Sequence, residues 1–84
     1  MLKLYSCEYG GMTEATCKRT RHVSYVAAHN EKQARAFISA YEGKHHKWRI
    51  HRVNEDVQQR IIHEVKHRCD LTKKGAICTM FHMH

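Results

Sequence analysis

Residues 23–53, VSYVAAHNEKQARAFISAYEGKHHKWRIHRV, decide the fold. Val23–Ala28 (VSYVAA) is rich in β-branched and aromatic residues and reads as a strand. Asn30 is a good helix N-cap, and Gln33 three residues on completes a capping-box pattern. Ala34, Phe37, Ile38 and Tyr41 then fall at i, i+3, i+4 and i+7, which makes one apolar stripe. Gly43 stops the helix, so Glu31–Glu42 is predicted helical, with Phe37 and Tyr41 as core anchors. Trp48–Val53 (WRIHRV) alternates with period two, so Trp48 and Ile50 turn under the helix while Lys47, Arg49 and His51 face the other way. The whole stretch is strand, helix, strand. Within it the nine residues Lys44–Arg52 hold four Lys/Arg, three His and the single Trp of the chain.

Outward from this unit, Leu2–Tyr9 (LKLYSCEY) alternates as a strand with Leu2 and Leu4 on one face and Tyr5, Cys7 and Tyr9 on the other. Gly10-Gly11 suits a turn. Met12–His22 is polar, ends in the basic cluster Lys18, Arg19, Arg21 and His22, and reads equally as a hairpin arm or a loop. After the central unit, Asn54 caps a second helix over Asp56–Arg68, with Glu55 and Asp56 at the positive end of its dipole and His67 and Arg68 at the negative end. Val57, Ile61, Val65 and Cys69 recur at four-residue steps as its buried stripe, with Ile62 beside them. Asp70–Gly75 is a turn and Ala76–His84 a closing strand. The order is β-β-α-β-α-β, an α+β single domain over 1–84. It has a core over 1–68 and a C-terminal turn and strand over 69–84, and both helices are expected on one face of a mostly antiparallel sheet. The other sheet face would then be wet and basic.

The chain has 84 residues, enough for one small core. Lys and Arg number 15 against 8 Asp and Glu, a net charge of +7, which favours polyanionic partners: nucleic acid, an anionic membrane, or an acidic protein face. No run approaches the ~20 apolar residues of a membrane span, and the N-terminus lacks the apolar region of a signal peptide. A cytoplasmic protein is expected, whose Cys are free thiols or metal ligands rather than disulfides. Cys7 and Cys17 read as ordinary thiols.

Three constellations carry possible chemistry. Lys47, Arg49 and His51 stand about 6.5–7 Å apart along one strand face, a spacing that follows a phosphate backbone. With Lys44 before them, and Lys18, Arg19 and Arg21 on a strand expected nearby, they form the candidate nucleic-acid or partner surface. Base stacking is poorly provided, because Trp48 faces the core and leaves Tyr5, Tyr9 or Tyr25 as candidates. The second constellation is at the tail, where Cys78, His82 and His84 share strand parity and Cys69 ends the second helix. Together they make a Cys2His2 set for tetrahedral zinc, though the spacing matches no standard finger. The third, His63-Glu64-Val65-Lys66-His67, is a formal H-E-x-x-H of the kind used by zinc hydrolases. With nine His and six Glu in the chain, a chance match is on the order of one in fifteen, and His63 and His67 lie away from the apolar stripe, so an exposed polar face is expected. Gly-rich phosphate loops and a nucleophilic Ser elbow are missing, and Asp56 and Asp70 do not suggest an acid/base pair. An enzyme is not expected.

The central stretch resembles a pattern of small bacteriophage and mobile-element proteins, including anti-CRISPR proteins and phage inhibitors of host RNA polymerase. The matching positions are Val26, Ala28, Asn30, Ala34, Gly43, Trp48, Ile50, Arg52 and Val53. The resemblance implies a small non-enzymatic inhibitor that occupies a surface of host nucleic-acid machinery. It carries over no functional residue. The positive charge departs from the acidic DNA-mimic style and implies nucleic acid, or a nucleic-acid-bound complex, as the target.

Overall fold

The computed structural model describes residues 2–13, 18–43 and 47–83, with side chains at 2–9, 23–43 and 47–79. The elements are β1 (Lys3–Thr13), β2 (Lys18–Ala28), α1 (Glu31–Glu42), β3 (Arg49–Arg52), α2 (Glu55–Val65) and β4 (Ile77–Met83). The four strands form one antiparallel sheet in the order β3-β1-β2-β4. This is the expected α+β class and the expected element order. Both β2 and β3 run antiparallel to β1, so they are parallel to each other, and α1 crosses over β1 to connect them.

Local chemistry sets the helix ends. The Asn30 Oδ1 accepts from the Gln33 N–H at 2.7 Å, and the Gln33 Oε1 accepts from the His29 N–H at 2.8 Å. The capping box is thus closed one residue further out than its usual N-cap position. At the other end Gly43 takes φ 113°, open to glycine at little cost, and its N–H donates to Ser39 O at 2.9 Å. Asn54 caps α2 through the Asp56 N–H at 2.9 Å. That helix stops at Val65 rather than continuing to Arg68, where the Arg68 N–H donates to Val65 O, an i→i−3 bond that tightens the last turn.

The hairpin departs from the sequence expectation at Gly10-Gly11. Both glycines lie inside β1, opposite Arg21 and Thr20, and the strand runs on to Thr13. Glycine permits a turn but does not enforce one, and here the backbone ladder continues through it. Lys18–His22 is part of β2, which resolves the open choice in favour of a hairpin arm.

Strand alternation places two cores on opposite sides of the sheet. Tyr5 and Cys7 of β1, Val26 and Ala28 of β2, and Trp48 and Ile50 pack with Ala34 and Ile38 of α1. Leu4 of β1, Val53, and Cys78 of β4 pack with Ile61 and Val65 of α2 and with Leu71. Leu4 and Tyr5 are adjacent, as are Ile77 and Cys78, so each pair points to opposite faces. The expectation that both helices share one face is therefore corrected: α1 covers one face and α2 the other. The segment after Cys69 is likewise part of the core, contributing Leu71 and Cys78. Burial of a side chain such as Ile38 contributes about 1.5–3 kcal/mol.

Two predicted anchors are on the outside. Tyr41 is 65% exposed and Val57 37%. The last turn of α1 meets the sheet through Glu42 instead, and Tyr41 sits about 100° round from it. The Glu42 Oε1 accepts from Ser24 Oγ at 3.2 Å and from Thr79 Oγ1 at 3.1 Å, and these two hydroxyls are 3.1 Å apart. Ser24 is fully buried. This cluster ties the end of α1 to β2 and β4 together.

Candidate partner-binding surface

The basic residues around β3 have the parity the sequence implied. Trp48 and Ile50 are buried under α1, and the Trp48 Nε1–H donates to Gly43 O at 3.1 Å. The Trp48 ring meets Tyr9 edge-on, with centroids 4.8 Å apart. These contacts fix the chain where it enters β3. Burial removes the Trp48 ring from base stacking, and burial together with the Glu42 carboxylate pushes the Tyr9 phenol above its ordinary pKa. Lys47, Arg49, His51 and Arg52 are all exposed. Arg49 and His51 project to the α2 side of the sheet, and Arg52, of opposite parity, does not. Because β3 is an edge strand only four residues long, these cations rim the sheet boundary rather than line a broad wet face.

One carboxylate enters this rim. Glu8 lies directly opposite Arg49 in the β1–β3 register, and its Oε1 is 3.7 Å from Arg49 Nε. The Arg49 side chain is 63% exposed and that of Glu8 only 11%. Arg49 therefore balances a mostly buried carboxylate and still presents its guanidinium to solvent. The pair was not anticipated from sequence. Its signal was available in the alternation of β1, which puts Glu8 on the Leu4 face, but the register that sets it against Arg49 is a tertiary fact.

The other proposed contacts divide differently. Lys18, Arg19 and Arg21 lie on β2, in register with Thr13, Met12 and Gly10. They are not beside β3, because β1 runs between the two strands. Arg19 is also displaced along the hairpin from Glu8 by four residues, about 13 Å. Their side chains, and Lys44 altogether, lie outside the described residues, as does Cys17.

Of the zinc set, Cys69 and Cys78 come together in the α2-side core, where the Cys78 thiol is hydrogen-bonded with Cys69. Burial and that contact push the Cys78 thiol up to about 11. The His82 side chain and His84 lie outside the described residues. Among the described residues no group of three or more His, Cys, Asp or Glu is placed to hold a metal ion. His63 and Glu64 are exposed on α2, and His67 is exposed in the turn beyond it. His63 lies in the last turn of α2 and His67 in the turn that follows it.

No family model, curated protein or solved structure matches this chain. Function has to be read from the surface itself. No described helix is long and apolar enough to cross a membrane.

Proposed function

We propose that this chain is a non-enzymatic cytoplasmic binding protein that engages nucleic acid, or a nucleoprotein surface of host nucleic-acid machinery, through the basic rim at β3. It would act by occupying that surface, in the manner of the small phage and anti-CRISPR inhibitors that its central stretch resembles. The observation that supports this reading is the set of exposed cations Lys47, Arg49, His51 and Arg52 around one short edge, with Glu8 the carboxylate in register among them. Phosphates need clustered positive charge and no deep pocket, and an edge rim supplies it. Charged residues on a short edge strand also discourage unwanted strand pairing, so the same side chains have a structural use.

Equilibrium binding to short labelled single- and double-stranded DNA and RNA across a salt series tests the proposal. Affinity should fall linearly in log salt. Replacing Lys47 and Arg52 by Gln should make the slope shallower by roughly 0.7–0.9 for each phosphate no longer neutralised. Arg49→Gln is a better third variant than Arg49→Glu, which would set two carboxylates opposite each other. Absence of binding at the lowest salt would overturn nucleic acid as the direct partner.

A zinc-stabilised nucleic-acid regulator is the second reading, supported by the meeting of Cys69 with Cys78. Zinc at one equivalent per chain, absent from a Cys69→Ser variant, is its expected result. Zinc-free protein of unchanged stability would dismiss it.

A further inference from the structure

The two sheet edges differ in kind. The β3 edge is four residues long and carries two Arg, whereas β4 spans Ile77–Met83 (ICTMFHM) with no Asp, Glu, Lys, Arg or Pro. A long edge strand without charge or proline is a ready template for another strand. The hydrogen-bond phase of β4 shows which of its backbone groups are presented. The Ala27 N–H donates to Ala76 O at 3.0 Å, and β2 and β4 pair onward through Tyr25↔Cys78, Val23↔Met80 and Arg21↔His82. In an antiparallel ladder, residues that bond inward alternate with residues whose N–H and C=O point away. Ile77, Thr79, Phe81 and Met83 therefore direct their backbone groups outward, along the side of β4 that no strand of the sheet occupies.

We infer that β4 is a self-association edge, pairing antiparallel with β4 of a second copy of this chain about a two-fold axis at Met80. The register is self-complementary. With Met80 opposite Met80 of the other copy, Ile77 falls opposite Met83 and Thr79 opposite Phe81. These are the residues whose backbone groups point outward, so every outward N–H meets an outward C=O. A register shifted by one residue would set outward groups against inward ones and form no ladder. Strand pairing of this kind is isologous and closes after two copies, so it yields a dimer and not a fibre. The two-fold axis runs perpendicular to the sheet, which keeps the α1 face of one copy level with the α1 face of the other. The product is one continuous sheet built from two four-stranded halves, with the charged β3 edges at its two ends. Those ends resist further addition, because their Arg side chains would repel a third copy presenting the same edge.

The occupant is a second copy for two reasons. The geometric match is to β4 itself, and a charge-free strand meets no like-charge penalty when paired with its own image. This inference concerns the opposite edge from the proposed polyanion surface, and each stands if the other falls.

Sedimentation equilibrium of the full chain tests it. The wild type should run at about twice the 10.0 kDa chain mass. Phe81→Pro removes an N–H that faces away from β2, and proline is tolerated at such positions of an edge strand. That variant should run as a monomer with unchanged far-UV circular dichroism. Phe81→Lys is the second variant, giving the same result by charge if the proline disturbs folding. Amide exchange of the wild type is the third measurement, expected to show Ile77, Thr79, Phe81 and Met83 becoming more protected as concentration rises. A wild type that stays monomeric at millimolar concentration overturns the inference. So does a folded Phe81 variant that remains dimeric, or free exchange of those four amides at every concentration.

Discussion

Ser24→Ala probes the contact that fixes α1 on the sheet. The Ser24 side chain is fully buried and its hydroxyl donates to the Glu42 carboxylate at 3.2 Å, beside the Thr79 hydroxyl bound to the same oxygen. A hydrogen bond to a charged acceptor contributes about 1.5–3 kcal/mol, and the alanine leaves too small a gap to add much cavity cost. Because Thr79 still serves the carboxylate, the lower half of that range applies, about 2 kcal/mol. For a domain of this size that is roughly 8–16 °C in Tm. Urea unfolding followed by circular dichroism measures it directly. The decisive comparison repeats the substitution in a Glu42→Gln background. With a neutral acceptor, Ser24→Ala should cost about 1 kcal/mol less, a coupling within the range of contacting pairs. A loss under about 0.5 kcal/mol, or an equal loss in both backgrounds, would refute the view that a charge-assisted bond holds the helix end.

Two further results are expected. Asn30→Ala should destabilise the chain by about 1 kcal/mol and Asn30→Gly by only a few tenths, as read by thermal unfolding, since the Gln33 N–H loses its acceptor in both but glycine suits an N-cap backbone. Stability should also decline in alkali: burial pushes the Cys7 thiol up to about 12 from 9.0, so the unfolded chain releases this proton from about pH 9 while the folded chain holds it to near pH 12. The contribution is complete below pH 9 and is lost between pH 9 and 12, with Cys78 adding to the fall between 9 and about 11. Urea titrations at about pH 8 and about pH 10.5 should show a shallower decline for Cys7→Ala.

Much of the fold was written locally. Asn30, Gln33 and Gly43 bracket α1 because caps act within a few residues, and the alternation of Trp48–Val53 placed Trp48 and Ile50 inside because strand parity is a property of neighbours. Strand pairing and the packing of Trp48 and Ile50 under α1 were met; what failed was the choice of sheet face for the second helix and of neighbours for the basic strand. An apolar stripe states that a helix is buried, not which face of the sheet it meets. Both faces of β1 were already apolar, Leu4 on one side and Tyr5 and Cys7 on the other, and that pattern requires cover on both sides. A glutamate in the last turn of α1, against the helix dipole, was also a sign that Glu42 had a partner elsewhere. At the candidate surface, the exposure of Lys47, Arg49 and His51 followed from parity. The Glu8 counter-charge and the separation of Arg19 and Arg21 from β3 follow from strand order, which local pattern does not encode.

The strand order also sets how far along the chain each pairing must reach. The β1–β2 hairpin closes on itself through contacts local in the chain, and α1 with β3 then returns to β1. The β2–β4 ladder joins residues as far apart as Thr20 and Met83, so its loop-closure entropy is the largest in the sheet. Until it forms, Leu4 lacks the packing that Cys78 and Leu71 provide, and β2 carries an open edge of its own. If stopped-flow refolding shows a slow phase, β4 docking is its expected source.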